Sequence, residues 1–314
     1  MPTDTDPVHP YYRAILDAYA EAGRPYFWQV DPVTAREMLR SSLAAAPPQS
    51  GLPELEKVWE EQVCGADADA DVPVRRYRPQ GDPLGVVLYC HSGGWVIGDL
   101  DTGDALCRRL AAGAGCEVVS VDYRLAPEHP CPAAQDDLWA VLQWARAELP
   151  GPILLAGESA GANLAAACAI RARDAGIALA GQYLAYPVTD HDFTTGSYRD
   201  VGGENYLLSE ADMRWFWGHY CPDIAQRDQP LVSPLRVPDA AGLPPALVHV
   251  AQLDPLRDEG LAYAQRLAAA GVPVRTRCDS GMLHGYLAAA AAVPAAAQAV
   301  EEAAQWIGSC LRQA

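Results

Sequence analysis

The chain has 314 residues, half of them hydrophobic, which suits one large α/β domain with an appendage and excludes general disorder. Its 23 basic and 40 acidic residues leave a net charge of −17, a field that repels nucleic acid and anionic lipid surfaces and favours a neutral small-molecule partner. Residues 1–12 carry acids and prolines where a signal peptide needs a basic start and an apolar run, and nine cysteines show neither Cys-x-x-Cys nor matching histidine spacing, so reduced thiols in the cytoplasm, without zinc or stable membrane association, are expected.

Along the chain, residues 10–46 have helical spacing (Tyr12, Ile15, Leu16, Tyr19, then Ala35, Met38, Leu39), stopped by Pro47 and Pro48. Residues 56–64 and 72–77 read as two strands of a hairpin. From Gly85 the rhythm alternates. Short apolar runs at 86–90, 117–121, 153–156, 183–186 and 246–251 predict buried strands, and 274–278 alternates as an edge strand would. Helices are predicted between them at 101–114, 133–148, 160–175, 258–270 and 294–312, a pattern that specifies a mostly parallel sheet covered on both faces. Residues 189–238 hold no apolar strand and concentrate aromatics, as a lid over a pocket would.

The sharpest chemical signal is Gly157-Glu158-Ser159-Ala160-Gly161, between a predicted strand and a predicted helix. A turn this tight strains its central residue and lifts a serine hydroxyl to the positive end of the helix, the setting of a nucleophile. His91-Ser92-Gly93-Gly94-Trp95 follows an earlier core strand. Its adjacent glycines leave backbone N–H groups free, so Gly93 and Gly94, with the N–H of Ala160, are the candidate oxyanion donors. An acid and then a histidine should come later in the chain. Asp254 follows the strand at 246–251, with Asp258 and Glu259 as rivals better explained as first-turn helix residues, and His284 is the one histidine after it. His249 lies inside an apolar strand and is read as core. Asp190, His191 and Asp192 are read as a solvated loop, because neighbours in sequence rarely converge on one ion.

Taken together these motifs resemble the hormone-sensitive-lipase-like esterases, the bacterial family IV of the α/β hydrolases. The resemblance runs from about Gly85 to Tyr286, through the glycine loop and Gly98-Asp99, the stretch Asp122-Tyr123-Arg124-Leu125-Ala126-Pro127-Glu128-His129-Pro130, the serine motif, Leu243-Pro244-Pro245-Ala246, Asp254-Pro255-Leu256-Arg257-Asp258-Glu259-Gly260 and His284-Gly285-Tyr286. It implies an eight-stranded, mostly parallel sheet with helices on both faces and a helical cap. The cap is expected from residues 1–50 and the insertion 189–238, and the core from 51–188 and 239–314. It also implies an acyl-enzyme route with Ser159, His284 and Asp254 as catalytic residues, no metal and no organic cofactor, and a structural rather than chemical role for Glu128 and His129. Dimerisation through the last strand and helix is common in the family, and the sequence gives no independent sign of it.

Two positions depart from the family. Ser92 stands where a third glycine is usual, and Glu158 stands where Asp is common, the carboxylate being kept and extended. The expected pocket residues are Ser92, Trp95, Leu256 and Tyr286, with Tyr206 and Trp215 from the cap. Three functions follow in order of fit: a carboxylesterase for small to medium neutral esters, an amide deacylase or a lactone-forming or lactone-opening acyl-transfer enzyme, and a non-catalytic binder on the same fold.

Overall fold

The computed structural model describes residues 7–45, 51–65 and 71–314. The expected helix stop at Pro47 and Pro48 and most of the link between the first two strands lie outside the described residues. Eight strands form one sheet in the order β1-β2-β4-β3-β5-β6-β7-β8. The first two, β1 (Lys57–Val63) and β2 (Val72–Arg78), pair antiparallel, and β2 joins β4 (Glu117–Val121) antiparallel. The remaining ladders, through β3 (Val86–Cys90), β5 (Ile153–Glu158), β6 (Gly181–Ala185), β7 (Ala246–Leu253) and β8 (Val274–Leu283), are all parallel.

The period-2 geometry of the central strands, buried on both faces, explains why β3 is an unbroken apolar run. Val86, Leu88 and Cys90 of β3 enter one core, with α4 (Ala133–Glu148), α5 (Ala160–Asp174) and α8 (Arg257–Ala269). Val87 and Tyr89 point the other way, into a second core with α3 (Asp104–Ala114) and α9 (Pro294–Gln313). Both faces are therefore covered. His249 is fully buried in β7, as its apolar neighbours require.

Several strands run further than their apolar runs suggest, β7 to Leu253 among them. β5 continues to Glu158, so the sheet delivers Ser159 directly. β8 continues to Leu283 past a register shift opposite Ala251 and Leu253, so His284 follows a strand rather than sitting in a long loop. Its outer part is half exposed because β8 is the sheet edge.

The cap is helical. From the N-terminal side come α1 (Pro10–Glu21), a 3₁₀ turn at Phe27–Gln29 and α2 (Pro32–Ala45); from the insertion come α6 (Gly196–Val201) and α7 (Glu210–Tyr220). Asp212 ties these parts together. It completes a capping box with Ser209 at the start of α7 and accepts the backbone N–H of Trp28 at 3.2 Å. Arg36 pins α2 to the core through the carbonyls of Val96 (2.8 Å) and Ala126 (2.9 Å) and through Glu128. The guanidinium holds the Glu128 carboxyl down at about 2, an ion-pairing role that accounts for this conspicuous acid.

Candidate active site

Ser159 sits between β5 and α5 with φ 55° and ψ −119°, a left-handed conformation that non-glycine residues rarely adopt. The flanking glycines make the turn possible. A Cβ on Gly161 would lie 2.1 Å from the carbonyl oxygen of Cys90, and one on Gly157 would lie 2.3 Å from that of Gly161. The backbone is held in place by the N–H of Ser159 donating to the carbonyl of Ala185 at 2.9 Å.

Three distant side chains meet here. His284 Nε2 is 2.9 Å from Ser159 Oγ, and His284 Nδ1 is 2.7 Å from Asp254 Oδ2. Asp254 is fully buried at the end of β7, and its other oxygen accepts the N–H of Leu256 at 2.9 Å, which leaves Oδ2 aimed at the imidazole. The two rival acids are engaged elsewhere. Asp258 accepts the N–H of Ser197 and pairs with Arg257, while Glu259 is buried beneath the N–H groups of Thr189 and Asp190.

The glycine loop lies over the serine. Gly93 and Gly94 have φ of 125° and 57°, and both line the cavity that contains Ser159 and His284. Ala160 opens α5, where the first N–H groups lack intrahelical partners. Behind the loop His91 is fully buried, stacked on Tyr123 at 4.3 Å, with Nδ1 2.7 Å from the carbonyl oxygen of Ser92. Burial pushes its imidazole down to about 4, so it is neutral and serves as a packed support for the loop.

The cavity has a volume of about 670 Å³. Of the six expected pocket residues, Ser92 and Tyr206 line it, and the other four do not. Trp95 is fully buried, stacked on Tyr220 at 4.1 Å and tilted against Trp217, so it anchors α7. Trp215 points about one-quarter turn away from the face of α7 that carries Asp212, Met213 and Phe216 into the cavity. Leu256 is buried at the start of α8. Tyr286 is also buried, with its hydroxyl donating to Asp279 at 2.6 Å.

Sequence reading does not single out Phe216, Met213 and Asp212 as wall residues, although their i, i+1, i+4 spacing puts them on one helix face. It also missed Phe27, Leu16 and Met38 from the N-terminal segment, whose contribution depends on contacts remote in sequence. The Asp190 to Asp192 loop is already engaged: Arg236 pairs with Asp190 at 2.6 Å, and His191 Nε2 lies 2.9 Å from Asp228.

Residues 87–288 match the sequence profile of a family described as having the α/β-hydrolase fold. The chain is 42% identical to carboxylesterase NlhH of Mycobacterium tuberculosis over 309 residues, covering 94% of this chain and 93% of that protein. It is 40% identical to esterase LipI of the same organism over 307 residues, covering 93% and 92%. Among solved structures, the hyperthermophilic esterase of the archaeon Pyrobaculum calidifontis superposes with a TM-score of 0.91 at 37% identity, covering 97% of this chain and 99% of that one. This chain belongs to the α/β-hydrolase family, in its hormone-sensitive-lipase-like branch.

Proposed function

We propose that this protein is a serine carboxylesterase acting on small to medium neutral esters. Ser159 is the nucleophile, His284 the base and then the acid, and Asp254 the carboxylate that orients the imidazole. The N–H groups of Gly93, Gly94 and Ala160 receive the oxyanion. The observation that carries this reading is the unbroken line of contacts from Asp254 through His284 to Ser159, opening on the cavity.

As Ser159 Oγ adds to the ester carbonyl, its proton passes to His284 Nε2. The imidazolium is stabilised by Asp254 across the 2.7 Å contact, and the oxygen that gains charge turns toward the glycine loop. His284 then protonates the departing alcohol. Water enters, gives a proton to the same nitrogen and attacks the acyl carbon; as the bond to Oγ breaks, His284 returns that proton to Ser159 Oγ and the acid leaves.

A cavity of about 670 Å³ walled by Phe27, Met213 and Phe216 suits a compact acyl or alcohol group better than a long extended chain. The cap is taken as residues 1–50 with 189–238, over a core of 51–188 and 239–314; the contacts of Asp212 with Trp28 and of Tyr26 with the carbonyl of Glu204 support joining its two parts. A cytoplasmic setting fits the nine free cysteines, and no described helix is long and apolar enough to cross a membrane.

Hydrolysis of p-nitrophenyl esters of increasing acyl length, with Ser159→Ala as the blank, tests the substrate class. A maximum at short or medium chains is expected. A maximum at long chains would contradict it.

A further inference from the structure

Glu158, the residue immediately before Ser159, is a buried carboxyl group. Both of its oxygens accept hydrogen bonds, Oε2 from the hydroxyl of Tyr89 and Oε1 from that of Tyr186. Tyr186 is itself unusual. It has φ 37°, its N–H donates to the carbonyl of His249 at 2.6 Å, and its ring meets the His284 imidazole edge-on at 4.9 Å. The carboxylate, the tyrosine and the imidazole therefore form a second line of support for His284, on another side from Asp254. We propose that Glu158, acting through Tyr186, is a positioning residue for His284: it fixes the ring against which the imidazole rests and supplies a second negative charge that favours the imidazolium formed when Ser159 loses its proton.

This rests on the hydrolase reading above and deepens it. Two O–H donors are the arrangement an ionised carboxylate needs, whereas burial works against ionisation and pushes the Glu158 carboxyl up. A cation nearby offsets that cost, and His284 is the group that can become one. The other titratable groups facing the site are Tyr89 from β3, Cys107 from α3, Tyr183 from β6 and Tyr186 at its exit, with Tyr286 behind them. Burial raises all five, so they are neutral near pH 7. Further out, Asp279 is paired with Arg277, and Asp104 with Arg75 and Arg108. Asp17, Glu204 and Asp212 line the cavity that also holds His284, whereas Asp254 directly and Glu158 through Tyr186 are the acids joined to the imidazole by contacts.

Glu158→Gln, Glu158→Asp and Tyr186→Phe separate charge from packing. In Glu158→Gln, kcat should fall about tenfold with KM within about threefold, and the acid limb of kcat/KM should move to lower pH by about half a unit or more, because the imidazolium loses a stabilising charge. Glu158→Asp keeps the charge and should keep the wild-type midpoint despite a lower kcat, while Tyr186→Phe should reproduce part of the Gln effect. NMR titration of His284 in the resting protein gives the same shift without relying on turnover. An unchanged His284 midpoint in Glu158→Gln, or in Tyr186→Phe should the Gln variant not fold, overturns the proposal. Wild-type protein that hydrolyses no ester while His284 still responds to Glu158→Gln overturns the hydrolase reading instead.

Discussion

The ring of Phe216 occupies the space next to Gly94: a Cβ on that glycine would lie 2.1 Å from the ring, at a backbone φ of 57°. The cap helix thus packs directly on the loop that holds the candidate oxyanion donors, so cap and loop geometry are coupled. Gly94→Ala should lower kcat/KM by about a hundredfold or more, the scale of losing one oxyanion donor. Adding Phe216→Ala should recover part of that loss by clearing the ring while the backbone strain remains. Steady-state kinetics of both variants decide this, and a Gly94→Ala enzyme with wild-type kcat/KM would contradict it.

Asp212 makes a second coupling, between α7 and the N-terminal turn. Its removal deletes a capping box and leaves the part-buried N–H of Trp28 without its acceptor. Asp212→Ala should cost about 1–3 kcal/mol in stability and raise KM more than it lowers kcat, since it loosens a wall rather than the reacting groups. Urea unfolding and kinetics together test this. An unchanged unfolding midpoint with unchanged KM would remove Asp212 as the tie.

Ser92 departs from the family's run of glycines, yet its buried neighbour His91 contacts the carbonyl oxygen of Ser92, a backbone group any residue supplies. Ser92→Gly should therefore change kcat/KM on a short ester by less than about threefold, under 1 kcal/mol. A loss beyond tenfold would assign the hydroxyl to the substrate.

Burial pushes His91 and His249 from 6.5 down to about 4. Their folded values lie below the unfolded ones, so the unfolded chain binds more protons between those limits and stability falls as pH drops from about 6.5 toward 4. Each imidazole accounts for up to about 3 kcal/mol of that loss. His249→Gln should lose less stability than wild type between pH 7 and pH 5 in chemical denaturation. Parallel losses would show that His249 does not contribute.

Most of the sheet and the serine turn were legible because parallel strands buried on two faces leave continuous apolar runs, and because strand, glycine, serine and helix follow one another within a few residues. β8 was underestimated: its last part, Asp279 to Leu283, mixes polar and apolar residues and pairs through a register shift that periodicity does not reveal. The pocket was the least legible part. Aromatic character pointed equally to Trp95, Trp215 and Phe216, and only their packing separates a ring stacked on Tyr220 from one that faces the cavity. The contribution of α1 and α2 depends on where the chain returns in space. Arg36 illustrates this, because its partners Ala126 and Glu128 lie some ninety residues away.

The most direct test is labelling with a fluorophosphonate, followed by mass spectrometry of the modified peptide. One equivalent on Ser159, loss of labelling and of ester hydrolysis in Ser159→Ala, and slowed labelling in His284→Ala are expected. Wild-type protein that resists the reagent, or a Ser159→Ala variant that hydrolyses esters at the wild-type rate, would contradict the assignment of Ser159 as the nucleophile.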